Sequence, residues 1–245
     1  MKKRQIMFII MALALIILAC LWKGNSKYEG FSISNPFDKV DVIYYINLDH
    51  REDRKTELTE ELNRMGVPSG KVVRISAVLN KEYGDVGCSM SHVKTMNEFV
   101  KSGKHNCIIF EDDFEFSESK EVVYKKMNDF FDSGIEYDVC MLSANTIENK
   151  QTKYDFVKKV ISSQTASGYM VNQKFAKTLL TNFEEGVKML KTKKNKEDPE
   201  RGQYCVDQYW KELQPKSNWY EFNPKLGKQR KSHSDIQGGI VDYNL

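Results

Sequence analysis

The chain has 245 residues, of which 40% are hydrophobic and 29% are charged, so it is long enough for one sizeable hydrophobic core. Its 37 basic and 34 acidic residues leave a formal net charge of +3, and this even balance argues against nucleic acid as the main partner. We therefore expect one folded domain and no nucleic-acid partner.

The first 22 residues differ in composition from the rest of the chain. Lys2, Lys3 and Arg4 precede about 17 uncharged, mostly apolar residues, which as a helix would span roughly 26 Å, just enough to cross a bilayer. Basic residues before a single span predict a cytoplasmic N terminus. We therefore expect a single-pass type II membrane protein whose folded domain lies in the lumen of the ER or Golgi, or outside the cell. A cleaved signal peptide and a lipidated Cys20 are the alternatives.

Residues 23–40 are rich in Gly, Ser, Asn and Lys and are expected to form a linker before a folded domain at residues 41–245. Within this domain, apolar runs of strand length alternate with segments of helical periodicity. Strands are predicted at residues 41–47, 72–78, 107–110 and 137–143, and helices at residues 53–65, 87–100 and 119–132. This alternation predicts an α/β fold with a mainly parallel central sheet.

The second half of the domain has a less regular pattern. Two β-like runs, residues 156–161 and 168–172, flank a small-residue segment at residues 162–167 that is expected to form a turn. Two further helices are predicted, at residues 173–185 and 203–213.

A cluster of carboxylates follows the apolar run that begins CIIF at residue 107. Glu111, Asp112 and Asp113 stand where this strand leaves the sheet, and ligands of open α/β sheets bind outside the carboxyl ends of strands. Side chains alternate along an extended backbone, so Glu111 and Asp113 are expected on one side. Adjacent carboxylates repel each other unless a cation joins them, and such hard oxygen ligands suit Mn²⁺ or Mg²⁺. A solvated acidic turn is the alternative.

Four motifs follow one another along the chain. They are YYINLD at residues 44–49 with Arg51 and Arg54, GCSMSH at residues 87–92, IFEDD at residues 109–113, and SGYMV at residues 167–171. In this order and spacing they resemble the motifs of glycosyltransferase family 25, which contains the bacterial lipooligosaccharide and the procollagen galactosyltransferases. The resemblance covers residues 42–238, although each motif alone is weak.

The resemblance implies a GT-A type, Rossmann-like fold and an inverting transfer of a hexose, usually galactose in this family, from a UDP-sugar. The resemblance does not fix the acceptor, for which a hydroxyl group of a protein, such as hydroxylysine in a collagen-like chain, and one of a glycan are the two options. It also implies Mn²⁺ or Mg²⁺, because a departing diphosphate needs a Lewis acid. The expected metal ligands are Asp113, as the preferred direct ligand, with Glu111 and His233.

The resemblance further implies residues that bind the nucleotide sugar. They are Asn47, Asp49, Arg54, Ser91, His92, Glu111, Asp112, Gln229, Ser234 and Asp235. Arg suits phosphate because of its fork of donors, and Ser91 and His92 are expected near the start of a helix, whose free amide groups favour anions. Lys228 or Arg230 in the closing segment is a further candidate for the diphosphate. The alternative roles are structural: a helix cap for Asp49 and surface or packing roles for the others.

Inversion by direct displacement needs a base that removes the proton of the acceptor hydroxyl. Asp207, in CVDQYW at residues 205–210, matches the downstream Asp of the family and is the candidate. A carboxylate on a helix surface is the alternative.

Four cysteines lie outside the apolar N-terminal segment, and their spacing does not assign a disulfide. Cys107 and Cys140 fall in predicted core strands, where a free Cys packs as a small hydrophobic residue. The chain has no CxxC pair of the zinc type, so structural zinc is not expected. Cys88 and His92, four residues apart, are interpreted as structural rather than as a nucleophilic pair.

Two rival functions fit the same residues. A metal-dependent phosphotransferase or hydrolase could use the acidic cluster, but the sequence has neither GxxxxGK[ST] nor a cluster of His residues. A carbohydrate-binding protein that kept the fold and lost turnover is the second rival. Intact carboxylates at residues 111–113 and 207 favour the glycosyltransferase.

Overall fold

The computed structural model describes residues 34–234 and 239–241, with side chains described for residues 34–231. Strands and helices alternate along the first half of this region. The strands are β1 (Val42–Asn47), β2 (Val72–Ser76), β3 (Asn106–Glu111), β4 (Phe114–Phe116), β5 (Val139–Gln151), β6 (Val157–Asn172), β7 (Trp219–Phe222), β8 (Gly227–Gln229), β9 (Ser232–Ser234) and β10 (Gly239–Val241). The α-helices are α1 (Glu52–Arg64), α2 (Gly84–Ser102), α3 (Lys120–Asp132), α4 (Gln173–Thr192) and α5 (Val206–Tyr209).

The central sheet has six strands in the order β2-β1-β3-β6-β5-β7. Strand β1 is parallel to both β2 and β3, and β5 is parallel to β7. Strand β6 is antiparallel to its neighbours β3 and β5, so within this sheet it opposes the direction that the other five strands share. The predicted α/β fold with a mainly parallel sheet is therefore confirmed.

Helices cover both faces of this sheet. Ile43 of β1 and Ile108 of β3 belong to a core cluster that includes Leu58 of α1 and Met127 of α3. Their neighbours in the strands alternate to the other face, where Ile109 joins a second cluster with residues of α2 and α4. The result is a three-layer arrangement, helix on sheet on helix, in which buried strands read as continuous apolar runs.

The folded unit begins before the first strand. A short 3₁₀ turn, Pro36–Lys39, packs Phe37 into the core with its side chain fully buried. Asn35 caps this turn by accepting a hydrogen bond from the Phe37 amide at 3.1 Å. The packed chain therefore includes residues that the sequence analysis assigned to a linker.

The prediction of a turn at residues 162–167 is wrong. Strand β6 runs without interruption from residue 157 to residue 172, and its pairing with β5 shifts in register through this segment. The chain absorbs the irregularity at Thr165, which has a positive φ of 79°. Small residues here permit a bulge rather than a turn, and bulges commonly redirect backbone groups next to functional sites.

The helix expected at residues 203–213 is also not continuous. It is divided into the four residues of α5 and the flanking 3₁₀ turns Gly202–Tyr204 and Trp210–Glu212. Trp210 is fully buried and packs edge-on against Tyr169 at a ring-centroid distance of 5.4 Å. Burial of this large ring therefore anchors the segment without a long helix.

One aromatic ring holds the acidic turn in place. Phe114 follows Asp113 directly and begins β4, which pairs with β8 in a two-stranded antiparallel ribbon. A Cβ atom at Gly168 would lie 2.5 Å from the Phe114 ring, and one at Gly227 would lie 2.3 Å from it. Both glycines are thus needed for the close approach of this ring, and Gly168 belongs to the SGYMV motif.

The membrane localisation expected from the sequence is corrected. Within residues 34–234 and 239–241, no helix is both long and apolar enough to cross a bilayer. The proposed anchor at residues 1–22 lies outside the described residues. We therefore withdraw the expected localisation as a single-pass type II protein with a lumenal or extracytoplasmic domain.

We expect Gly168→Ala to lower the free energy of unfolding by about 1–3 kcal/mol, because the added methyl group overlaps the buried Phe114 ring. Denaturant unfolding followed by circular dichroism measures this change. The control is Gly70→Ala, since no heavy atom lies within 4 Å of a Cβ built there. Equal midpoints for the Gly168 variant and the parent would contradict the close packing.

Candidate functional site

A cavity of about 660 Å³ opens at the carboxyl ends of β1, β2 and β3. This is the edge at which open α/β sheets bind ligands, and the volume is within the usual range for small-molecule sites. The loop after β2 and the first turns of α2 form one wall, while β1 and β3 form the other. The lining residues include His50, Arg54, Asn80, Lys81, Gly84, Cys88, Glu111 and Asp112.

The acidic turn is joined by an arginine. Strand β3 ends at Glu111, and Asp112 and Asp113 form a turn, so the alternation expected for an extended backbone does not continue through them. Arg54 Nη1 lies 2.8 Å from Asp112 Oδ1 and 3.3 Å from Asp113 Oδ2. The cation that compensates the two aspartates is therefore a guanidinium group supplied by α1.

Asn47 holds the second oxygen of Asp112. Its side-chain amide donates to Asp112 Oδ2 at 2.8 Å and to the Arg51 carbonyl at 2.9 Å. Arg74 of β2 donates in turn to Asn47 Oδ1 at 2.9 Å. Asn47 is 1% exposed and lines the cavity, and its contacts join the carboxyl ends of β1, β2 and β3.

Glu111 contacts α2. His92 Nε2 lies 3.1 Å from Glu111 Oε1, and His92 Nδ1 lies 2.8 Å from the Tyr169 hydroxyl. An ionised carboxylate only accepts, so a neutral His92 donates from Nε2 to Glu111 and accepts from Tyr169 at Nδ1. Cys88 Sγ lies 3.6 Å from the same Glu111 oxygen. Glu111 therefore has its own set of partners, separate from the Arg54 contacts of the two aspartates.

The three carboxylates differ in acidity because their surroundings differ. Burial and the charge of Glu111 raise the pKa of Asp113 from its usual value near 3.8 to about 7, against the opposing charge of Arg54. Burial also raises the pKa of Asp112, although Arg54 and Asn47 oppose the shift. Burial disfavours ionised Glu111 as well, but hydrogen bonds from His92 and Cys88 and the charge of Arg54 outweigh it, so the pKa of Glu111 is lowered.

The two carboxylate oxygens of Asp113 differ in their contacts. Gln229 Nε2 donates to Asp113 Oδ2 at 3.0 Å, whereas the buried Oδ1 has no hydrogen-bond partner among the described residues. A buried carboxylate oxygen without a donor is suited to a hard cation. The residues at the turn thus fit the expected metal, with Asp113 as the better candidate ligand.

The closing segment reaches the acidic turn through the β4–β8 ribbon. Phe114 pairs with Gln229, which brings this expected site residue against Asp113, and the Arg230 amide donates to the Asp113 carbonyl at 2.6 Å. Lys228 lies 3.3 Å from Glu115, while Arg230 pairs with Glu57 and Glu115. Both basic side chains already have acidic partners. The side chains of His233 and Ser234, and all of Asp235, lie outside the described part.

Asp49 and Ser91, both expected at the donor, make hydrogen bonds within the fold. Asp49 is bonded by Arg74 at 2.7 Å and Ser76 at 2.9 Å, which lowers its pKa. Helix α2 begins at Gly84, so Ser91 and His92 lie two turns inside it rather than near its start. The Ser91 hydroxyl accepts from the Val78 amide at 2.8 Å and fixes the loop after β2. Ser91 therefore shapes the cavity wall in addition to lining it.

Asp207 stands at the beginning of α5. Its carboxylate accepts from the Thr165 amide at 3.0 Å, which the positive φ at Thr165 directs toward it. Burial raises the pKa of Asp207, the Thr165 hydrogen bond opposes the shift, and the charge of Glu111 adds to it. Asp207 is thus a half-buried carboxylate near Glu111 with a hydrogen-bond partner inside the fold.

Sequence reasoning missed several residues of the cavity. His50 follows β1, and Asn80 and Lys81 follow β2, so all three stand at carboxyl ends of strands and could have been found by that rule. Arg74 and Tyr169 lie inside strands. No signal in the sequence linked them to Asn47 and His92, because these contacts depend on strand order.

A family model described as "Glycosyltransferase family 25 (LPS biosynthesis protein)" matches residues 75–192. The resemblance to glycosyltransferase family 25 is confirmed. This family match indicates a glycosyltransferase, which implies a sugar donor and an acceptor. The matched segment holds GCSMSH, IFEDD and SGYMV, whereas Asn47, Arg54 and Asp207 lie outside it. No curated protein matches the chain by sequence.

Solved structures similar to this chain share little sequence with it. Mannose-1-phosphate geranyltransferase from Thermus thermophilus is 10% identical, with a TM-score of 0.45 over 78% of this chain and 74% of that one. A197 from STIV is 10% identical, with a TM-score of 0.43 over 84% and 100%. A putative glucose-1-phosphate thymidylyltransferase from Bacillus anthracis, in complex with a sucrose, is 12% identical, with a TM-score of 0.37 over 76% and 71%. We draw no functional conclusion from these similarities.

We expect Arg54→Ala to lower the free energy of unfolding at neutral pH by about 3–5 kcal/mol, because it leaves two buried carboxylates without their cation. The loss should shrink in acid, where the aspartates become protonated. Arg64→Ala is the control, since that side chain is 50% exposed and its pair with Glu61 should contribute less than about 1 kcal/mol. Equal losses in both variants, measured by denaturant unfolding, would contradict the role of Arg54.

We expect Asp113→Asn to be more stable than the parent at about pH 8 and to lose this advantage near pH 4. The folded-state pKa is raised, so ionisation of Asp113 lowers stability as the pH rises from its unfolded value through about 7. A shift of this size corresponds to roughly 4 kcal/mol, at about 1.4 kcal/mol per pKa unit. Thermal unfolding across the pH range measures the effect, with the exposed Asp155→Asn as control. A variant less stable than the parent at about pH 8 would refute the prediction.

Proposed function

We propose that the protein is an inverting hexosyltransferase of the GT-A type that transfers galactose from UDP-galactose to a hydroxyl group of a protein or glycan. The observation that carries the proposal is the meeting of two kinds of carboxylate near one cavity. The IFEDD turn of the family match lies at the strand ends. The separate carboxylate of Asp207 has a pKa that is raised by burial and, in part, by the negative charge of Glu111. Direct displacement requires these two functions, one for the leaving group and one for the acceptor.

The cavity at the strand ends is the proposed donor site. Its volume of about 660 Å³ is suited to a nucleotide sugar, and it has polar groups on opposite walls. Gly84, the first residue of α2, lines it, and the free amide groups of a helix start favour the diphosphate. Lys81 and His50 are further cavity residues that can donate to phosphate oxygens. Asn47 and Arg54 support the site by holding Asp112.

Mn²⁺ or Mg²⁺ would be held by Asp113 and Glu111, with His233 of the closing segment as a further proposed ligand. Asp113 Oδ1 supports this assignment, because it is buried and has no donor among the described residues. When bound, such an ion stabilises the negative charge that develops on the diphosphate leaving group. Gln229 holds the other Asp113 oxygen at 3.0 Å and so orients the carboxylate.

Asp207 is the proposed base. It would take the proton of the acceptor hydroxyl at a carboxylate oxygen as that hydroxyl attacks the anomeric carbon. Burial favours its protonated form and so brings its pKa closer to neutral, where a general base works best. The Thr165 amide, 3.0 Å from Oδ2, fixes the orientation of the carboxylate.

The first test is turnover with a panel of nucleotide sugars. We expect the purified protein with Mn²⁺ to release UDP from UDP-galactose faster than nucleotide from other donors. Excess chelator should abolish release and added Mn²⁺ should restore it. Full activity in excess chelator would refute the metal requirement. A clear preference for another sugar nucleotide would refute UDP-galactose as the donor.

The second test separates the two carboxylates. We expect Asp207→Asn to lower the transfer rate by roughly 10²- to 10⁴-fold, the usual contribution of a positioned base, with UDP binding near that of the parent. Asp113→Asn should instead weaken Mn²⁺-dependent UDP binding, because it removes a ligand rather than a proton acceptor. Calorimetric titration of UDP with Mn²⁺ makes the comparison, and the exposed Asp155→Asn is the control. Parental transfer rates for Asp207→Asn would mean that another group is the base.

A further inference from the structure

Three side chains of different chemistry meet in the cavity wall, away from the Arg54 contacts. One ligand atom each of Cys88, His92 and Glu111 lies within 4.8 Å of the other two. Cys88 and His92 are four residues apart in α2 and so share one face of that helix, and Glu111 reaches them from the end of β3. A thiol, an imidazole and a carboxylate are the three side chains that proteins use most for zinc.

The ligand atoms are nearly as close together as those around a tetrahedral ion. Zinc bonds of about 2.0–2.3 Å at tetrahedral angles place neighbouring ligand atoms roughly 3.4–3.7 Å apart. The Cys88 Sγ to Glu111 Oε1 distance is 3.6 Å, and the His92 Nε2 to Glu111 Oε1 distance is 3.1 Å. All three ligand atoms lie within 4.8 Å of one another, so shifts of about 1 Å in these side chains would complete the geometry. Hard ions such as Mn²⁺ prefer oxygen ligands, so a thiolate in the set selects a softer ion.

We propose that Cys88, His92 and Glu111 form a zinc-binding site in the cavity wall. Cys88 and Glu111 line the cavity, so a fourth position of the ion would face it, as in sites that keep one position for water or another ligand. No CxxC pair marks this site along the chain, because its ligands come from a helix and a strand end. The inference does not rest on the proposed glycosyltransferase activity, although Glu111 belongs to both sites.

Tyr169 supports the same assignment. Zinc-binding histidines usually donate their second ring N–H to an acceptor, which fixes the ring. With Nε2 on the ion, the hydrogen of His92 is on Nδ1, 2.8 Å from the Tyr169 hydroxyl oxygen, which can accept it. The thiol of Cys88 binds as thiolate and loses one proton to solvent, while the change of His92 tautomer releases none. Each zinc ion should therefore displace a single proton.

The test uses the purified full chain after removal of metals by a chelator. Co²⁺ is titrated as a probe, since a thiolate ligand gives an intense charge-transfer absorption, and Zn²⁺ is then added to displace it. We expect the charge-transfer band to saturate at one Co²⁺ per chain and Zn²⁺ binding at this site to release one proton, measured in buffers of different ionisation enthalpy. Absence of Zn²⁺ binding by the parent chain would overturn the proposal.

Matched cysteine variants assign the site. Cys88→Ser should abolish the charge-transfer band and weaken Zn²⁺ binding by more than roughly 10- to 100-fold, the loss that changes to outer residues alone produce. Cys205→Ser removes another half-buried thiol and should bind as the parent does. Parental binding by Cys88→Ser, or equal losses in both variants, would overturn the assignment. If Cys88→Ser fails to fold, alkylation of the parent decides: Zn²⁺ must protect Cys88, and equal labelling with and without Zn²⁺ overturns it.

Discussion

Compensation of the buried carboxylates is the constraint on which the site depends. Three consecutive acids begin at the last residue of β3, and Asp112 and Asp113 are each 7% exposed, so their charges need partners inside the fold. Arg54 supplies a cation to the two aspartates, while Glu111 hydrogen-bonds to His92. These contacts join α1, α2 and β3 at one edge of the sheet. The position of the cavity follows from them, because its walls are the same elements.

Apolar periodicity was sufficient to predict most of the fold. The strands with continuous apolar runs, β1 and β3, and the helices with a single apolar stripe, α1 and α3, lie within one or two residues of the expected bounds. These elements pack on both faces of one sheet, so local pattern and tertiary environment agree. The prediction for residues 162–167 failed because local pattern and tertiary environment disagree there. Small polar residues favour a turn locally, but pairing with β5 on one side keeps the chain extended.

The carboxylates of the candidate site could be selected from the sequence, whereas the residues that contact them could not. Placement at the end of a buried strand made Glu111, Asp112 and Asp113 candidates, and the resemblance made Asp207 one, but neither showed that Arg54 would join the aspartates. That contact spans 58 residues and depends on where α1 returns to the sheet. The expected grouping of Glu111 with Asp113 assumed an extended backbone, whereas β3 ends at Glu111. Side-chain contacts across elements therefore carry the information that a linear pattern lacks.

The Phe114 ring has an evolutionary consequence. It occupies the space in which Gly168 and Gly227 would otherwise carry side chains, so three positions far apart in the chain share one volume. A smaller residue at 114 would free room at 168 and 227, and a side chain at either glycine would require a smaller ring. Among homologues, these three positions should therefore change together. Covariation of these positions would show that the acidic turn packs against β6 and β8, which the carboxylates alone do not show.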